Sequence, residues 1–183
     1  MRKLIYDINI TTDGIADHTA GIADDELHDF YADLLDNAGI VLFGRKTFQL
    51  LEDFWPEADK DPRSTKGMLH FADKINNIQK IVFSGTLNKV KWANSKLVNS
   101  DAIEEIKKLK NEPGKDILIG GISLASALMK QKLIDEFLFL LHPIIAGSGR
   151  RLWEGLEERV ELKLVETRRL NSGTLVLRYL PNY

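Results

Sequence analysis

The chain has 183 residues, a hydrophobic fraction of 44% and a net charge of −2. That length suits one domain spanning residues 1–183 with a full core, and at this net charge no basic surface argues for nucleic acid. The chain contains no cysteine, which excludes a disulfide frame, thiolate chemistry and cysteine-ligated metal and suits a reducing cytoplasm.

The N-terminus, MRKLIYDIN, lacks an apolar signal core, and no stretch reaches the length of a membrane span. Leu4, Tyr6, Ile8 and Ile10 alternate with Ile5, Asp7 and Asn9, a strand with one strongly apolar face. Asp7 and Asn9 have two readings: the wet side of an edge strand, or pocket residues if the strand is central. Thr11 to Gly14 is a turn, and Ile15 to Gly21 reads as an exposed loop. Asp24 and Asp25 open a helix to about Asp36, with Leu27, Phe30, Tyr31, Leu34 and Leu35 as its apolar stripe. Ile40 to Phe43 is a short apolar strand. Gly44-Arg45-Lys46-Thr47 follows, then a helix from Phe48 to about Phe54. Two cations at a helix start oppose its dipole, a mismatch that makes sense with an anion between them; the alternative is a solvated basic turn.

Trp55-Pro56 ends that helix, and Glu57 to Lys66 reads as a surface loop. A helix over Gly67 to Ile75 leads to a strand over Lys80 to Phe83, which ends in Ser84-Gly85-Thr86. A short strand is expected at Lys96 to Val98. Asp101 and Glu104 cap a helix through Lys110 whose buried side is Ile103, Ile106 and Leu109. The segment from Asp116 onward is the centre of the pattern. A strand to Ile119 meets Gly120-Gly121, a helix runs from about Ser123 to Lys132, and a strand apolar on both faces spans Phe137 to Leu141. This reads as one right-handed crossover unit. Two glycines before a helix N-terminus suit a phosphate, and Gly-Gly also occurs in turns that bind nothing. A flexible basic loop, Ala146 to Arg151, precedes a hairpin of Val160 to Leu170 and Thr174 to Leu180, turning at Asn171-Ser172-Gly173. The fold class is α/β: three layers, a mixed, mostly parallel sheet with helices on both faces, and a C-terminal antiparallel hairpin.

Three strand ends thus carry glycine or hydroxyl turns, at Gly44 to Thr47, Ser84 to Thr86 and Gly120 to Ser123. In an open α/β sheet such turns outline a groove for an extended, phosphorylated ligand. None fits the G-x-G-x-x-G or Walker pattern. The four histidines, His18, His28, His70 and His142, show no ligand spacing, so no metal is expected. Trp55 and Trp153 either wall a pocket or pack in a core or interface. Arg150 and Arg151 either reach an anionic substrate or lie in a solvated loop.

Taken in order, Thr12-Asp13-Gly14, Gly44-Arg45-Lys46-Thr47, Val82-Phe83-Ser84, Ile119-Gly120-Gly121, His142-Pro143 and Gly147-Ser148-Gly149 resemble the dihydrofolate reductase superfamily. Within it the chain is similar to the bacterial branch of the riboflavin-biosynthesis reductase domain, across nearly its whole length. The resemblance implies NADPH and hydride transfer to a pterin- or pyrimidine-like small molecule. It places Arg45, Lys46 and Thr47 at the cofactor phosphates, with Gly44 opening that turn, and Ser84 and Gly85 at the adenosine end. Gly120, Gly121, Ile122 and Ser123 would hold the pyrophosphate, and Ile10, Thr11 and Gly14 would lie along the nicotinamide. It also implies a homodimer, through the C-terminal strands, and a substrate-holding carboxylate early in the second element. Candidates there are Asp25, Glu26 and Asp29, with His28 nearer the expected place; helix capping is the competing role. Two alternatives stand beside a general reductase: the riboflavin-pathway reductase of a ribosylated aminopyrimidine phosphate, and a nucleotide-binding protein without catalysis. The fused deaminase half seen in many riboflavin enzymes has no zinc motif here.

Overall fold

The N-terminal alternation forms β1 (Leu4–Thr11), and among the described residues eight strands make one sheet. We analysed a computed structural model, which describes residues 1–153 and 158–183. The remaining strands are β2 (Ala38–Gly44), β3 (Gln79–Phe83), β4 (Ser95–Val98), β5 (Asp116–Gly120), β6 (Glu136–His142), β7 (Glu161–Arg169) and β8 (Leu175–Asn182). The helices are α1 (Asp25–Asp36), α2 (Arg45–Glu52), α3 (Lys66–Asn77), α4 (Ala102–Asn111) and α5 (Ser123–Lys130). The strand order is β4-β3-β2-β5-β1-β6-β8-β7. The first six are parallel, and β8 and β7 add antiparallel strands. This is the expected fold class.

Strand alternation divides the core between two faces. Leu4, Tyr6, Ile40, Leu42, Ile117 and Ile119 pack with Ile106 and Leu109 of α4 and Ala125, Leu128 and Met129 of α5. Val41, Phe43, Val82, Leu118, Leu138 and Leu140 face the other way, with Leu27 and Leu35 of α1, Phe48 of α2 and Ile75 of α3.

The β5–α5–β6 crossover is present as expected, two parallel strands of one sheet, and β1 is inserted between them. Several local expectations need correction. Helix α2 begins at Arg45, not Phe48, and the stretch taken as a loop holds a 3-10 helix at Trp55–Lys60. There Pro56 suits a first turn, while the polarity of Glu57 to Lys60 imitates a loop. Ile15 is buried and bridges to Arg151, so the segment after β1 is pinned.

The N-terminal turns of α1 and α3 meet closely at Gly67. A Cβ there would lie 2.6 Å from both the Cα and the carbonyl oxygen of Asp25. Backbone cannot yield as a flexible side chain does. Gly67→Ala is therefore expected to destabilise the fold by about 1–3 kcal/mol, as overpacking does, measured by urea unfolding. An unchanged midpoint would show that the two helices separate freely.

Candidate functional site

Parallel strands deliver their carboxyl ends to one edge. Along it the ends of β3, β2, β5, β1 and β6 bring Ser84, Gly44, Gly120, Thr11 and His142 into a row. The three turns read from the sequence therefore lie on adjacent strands. The junctions after β2 and β5 touch: a Cβ at Gly121, whose φ is +91°, would sit 2.4 Å from Thr47 Oγ1. Gly44 and Gly85 face open space.

The helices along this edge differ in how they start. α1, α3 and α4 are capped by the side chains of Asp24, Thr65 and Asp101. α2 and α5 begin at Gly44 and Ile122 without a side-chain cap. Their first-turn N–H groups lack intrahelical partners and carry partial positive charge. Arg45 and Lys46 stand exposed in the first turn of α2; Arg45 donates to Gln49 Oε1 at 3.2 Å. Ser84 is partly committed, since its Oγ accepts from the N–H groups of Thr86 and Leu87 at 3.1 and 3.0 Å. Ser123 Oγ accepts from Arg150 Nη2 at 3.1 Å.

At the end of β1, Gly14 takes a φ of +80° in a turn that a side chain would strain. The Asp13 carboxylate accepts from Thr11 Oγ1 at 2.5 Å, Ala146 N at 3.1 Å and Gly147 N at 2.8 Å. The Thr11 hydroxyl and these loop amides hold its carboxyl down at about 2. Arg151 Nη1 donates to the Asp13 carbonyl at 3.2 Å. The 146–151 loop is thus tied to the β1 turn.

Between β5 and β1 the sheet opens. β1 pairs with β5 only through Tyr6 opposite Ile119, but with β6 as far as Thr11 opposite His142. The chain leaves β1 toward α1 on one face and β5 toward α5 on the other. This is the topological switch point at which open α/β sheets bind ligands. Its floor on the α1 face is polar. Asn9 Nδ2 donates to Tyr31 Oη at 3.0 Å, and His142 Nε2 donates to Asn9 Oδ1 at 2.9 Å. His142 Nδ1 accepts from Ile22 N at 3.1 Å and lies 3.2 Å from Thr174 Oγ1. That pattern fits a neutral imidazole, and burial lowers its pKa. Asp7, two residues before Asn9 on this face, is partly buried, and burial raises its carboxyl to about 7. Tyr31 is pushed well up, first by burial and then by the Asp7 charge.

Tyr31, read from the sequence as part of the apolar stripe of α1, joins this floor beside Asp7 and Asn9, whose pocket alternative the central position of β1 favours. Their signal was present as two polar positions in an otherwise apolar strand. The acids of α1 have protein partners instead. Asp25 accepts from the Thr65 hydroxyl and from Gly67 N at 3.3 Å, Glu26 from Asn171 N at 2.6 Å, and Asp29 pairs with His70 at 2.8 Å. His28 donates through Nδ1 to the Asp24 carbonyl at 2.7 Å and packs 5.7 Å from the Trp55 ring. Trp55 sits against Phe71 at 4.6 Å, and Trp153 against Tyr6 at 5.3 Å. Among the described residues no cluster of metal-ligating side chains is present, and no helix is long and apolar enough to cross a membrane.

A family model, that of the RibD C-terminal domain, matches residues 2–176. The Bacillus subtilis (strain 168) protein named Uncharacterized protein YyaP is 34% identical over 182 residues, 97% of this chain and 94% of that one. A Shewanella sp. PV-4 protein, described as a riboflavin biosynthesis protein, superposes with a TM-score of 0.74 at 18% identity over 99% of each chain. Enterococcus faecalis dihydrofolate reductase, solved with NADP(H) and RAB-propyl, superposes with a TM-score of 0.63 at 12% identity, covering 99% of this chain and 97% of that one. These structural likenesses show a dihydrofolate reductase-like fold.

Proposed function

The chain belongs to the RibD C-terminal domain family, and from that premise we propose that it is an NADPH-dependent reductase of a small heterocyclic, pterin- or pyrimidine-like substrate. The observation that carries the reading is the crevice where β5 and β1 part, bordered by two uncapped helix N-termini and two exposed cations. That combination fits a dinucleotide: phosphates meet amides and guanidinium, and an uncharged ring lies over the crevice. Arg45, Lys46 and Thr47 bind the phosphates, with Arg45 at the 2′-phosphate and Gly44 allowing close approach. Ser84 and Gly85 flank the adenosine. Gly120, Gly121 and the amides of Ile122 and Ser123 take the pyrophosphate. Ile10, Thr11 and Gly14 line the nicotinamide. Thr11 contributes through its backbone, since its hydroxyl is bound to Asp13. NADPH, when bound, supplies the hydride; the chain supplies position and a proton.

Arg45→Ala is expected to weaken NADPH binding by about 1–3 kcal/mol, the scale of a charge-assisted contact, and to leave NADH binding nearly as it was. Nucleotide fluorescence titration reads both. NADPH affinity untouched by the change would mean that the phosphate lies elsewhere.

A narrower reading is the riboflavin-pathway reductase of a ribosylated aminopyrimidine phosphate. It draws on exposed Arg150, held beside the start of α5, as the cation for that phosphate. Turnover of the aminopyrimidine phosphate, lost in Arg150→Ala, distinguishes it from the broader reading. Cofactor binding with no turnover of any heterocycle favours the third reading, a nucleotide-binding protein. The exposed edge strand β7, with Leu164 and Val165 uncovered, is the surface we assign to a homodimer.

A further inference from the structure

We propose that Tyr6 binds the ring end of the dinucleotide: its hydroxyl donates a hydrogen bond to the carboxamide carbonyl of the nicotinamide. This rests on the reductase reading above.

The observation behind it is a buried hydroxyl with nothing to bind. Tyr6 is 0% exposed, and among the described residues its Oη has no hydrogen-bond partner. A buried tyrosine hydroxyl ordinarily finds one. Tyr31, on the other face of the sheet, has Asn9. Arg178 Nε, the other buried atom without a hydrogen bond, still has the Glu136 carboxylate at 3.1 Å. A desolvated donor left alone is costly, and a ligand that accepts from it recovers that cost.

The setting of Tyr6 points to the ring of the cofactor. It is the last residue of β1 paired with β5, at the throat of the crevice. Its side chain lies on the α5 face, where Ile8 and Ile10 follow it along β1, both half-buried. Trp153 packs edge-on to Tyr6 at 5.3 Å and Phe137 at 6.2 Å. Trp153 reaches Tyr6 from the carboxyl edge of the sheet, because Leu152 N donates to the Gly14 carbonyl at 3.0 Å. The aromatic cover of Tyr6 is thereby tied to the turn that ends β1. This wall is apolar and aromatic, with one donor set into it. It suits a flat, uncharged ring that carries one carbonyl.

The electrostatics decide which part of the dinucleotide the hydroxyl meets. Among the described residues, the cation whose charge reaches Tyr6 is Arg150, which is exposed and donates to Ser123 Oγ. A phosphate sunk against Tyr6 would lose its hydration with no buried counter-charge. A carboxamide is neutral, and one hydroxyl satisfies its carbonyl. Tyr6 and Phe137 are fully buried, whereas Trp153 is half-buried. Trp153 also holds a φ of +62°, a left-handed conformation that strains a large side chain. It is the member of this aromatic group that gives way as the ring enters.

The test uses the full chain and two ligands, NADPH and 2′-phospho-ADP-ribose, which keeps every phosphate and lacks the nicotinamide. Each is titrated by calorimetry into wild type and into Tyr6→Phe, which removes one oxygen and keeps the ring. Tyr6→Phe is expected to weaken NADPH binding by about five- to tenfold, the scale of one hydrogen bond, and to leave 2′-phospho-ADP-ribose binding unchanged. Urea unfolding supplies a second readout. Without ligand, Tyr6→Phe is expected to unfold at the wild-type urea concentration or above it, since no bond is lost. With saturating NADPH, wild type is expected to gain more. NADPH affinity unchanged in Tyr6→Phe, an equal loss for both ligands, or a ligand-free variant that unfolds earlier than wild type would overturn the inference and leave the reductase reading standing. Wild-type protein that binds neither ligand would overturn the reductase reading itself.

Discussion

Lys80→Ala is expected to lower the unfolding free energy by about 3–5 kcal/mol, the range for breaking a buried charged network. Lys80 is 0% exposed at the start of β3. Its Nζ donates to the carbonyls of Ile75 at 2.7 Å, Ile78 at 2.9 Å and Asn76 at 3.3 Å, and lies 4.6 Å from the centre of the Trp92 ring. Those carbonyls are at the end of α3, where the last turn of a helix leaves acceptors unpaired and negative. Burial pulls the ammonium pKa down to about 8. The three acceptors and the aromatic face pull the other way, and at pH 7 the side chain is a cation. Alanine leaves a cavity and takes the ammonium donor from the Ile75 and Ile78 carbonyls, while the Asn76 carbonyl keeps Asn94 Nδ2 at 3.0 Å. Lys80→Met fills most of the space but cannot donate, so the difference between the two variants isolates the void. Urea unfolding measures both. A loss for Lys80→Ala below about 1 kcal/mol, typical of an exposed position, would show that water replaces the ammonium without cost.

The second large effect has the opposite sign. Asp7→Asn is expected to stabilise the protein at pH 8 by roughly 2–4 kcal/mol. An ordinary aspartate loses its proton near 3.8, whereas Asp7 keeps it to about 7. Between those values the folded chain binds a proton that the unfolded chain has released, so stability falls as pH rises and levels off above about 7. The full difference amounts to about 4 kcal/mol, reduced by the water that reaches the cleft. Asparagine never ionises and escapes the fall. The advantage of Asp7→Asn over wild type should therefore shrink as pH drops from 8 toward the ordinary aspartate range. Thermal or urea unfolding at pH 8 and pH 5 measures it. An advantage that is the same at both values would mean that Asp7 ionises freely in the folded chain.

Much of this arrangement was legible because its causes are local. Period-two alternation marked β1, the stripe from Leu27 to Leu35 marked α1, and Asn171-Ser172-Gly173 marked the hairpin. Glycine and hydroxyl residues after apolar runs located the strand tips, and the sheet gathers them on adjacent strands. What stayed hidden depends on distant partners. Nothing near Asp7 says that β1 slides between β5 and β6, and only that insertion turns a polar strand face into a cleft floor. Asp29 looked eligible until His70, forty-one residues on, took it. The start of α2 was misjudged because Arg45 and Lys46 oppose the helix dipole. Lys80 looked like an ordinary strand start, since the carbonyls that hold it come from the preceding helix end.

The free flank of β1 beyond Tyr6 has a bearing on how such proteins diversify. Asp7 and Asn9 stand on a segment whose ladder runs to β6 alone, so exchanging their side chains leaves the backbone pairing and the glycine turns after β2 and β5 as they are. A lineage built on this scaffold can therefore change the polarity of this strand tip through replacements at two positions without remaking the sheet around it.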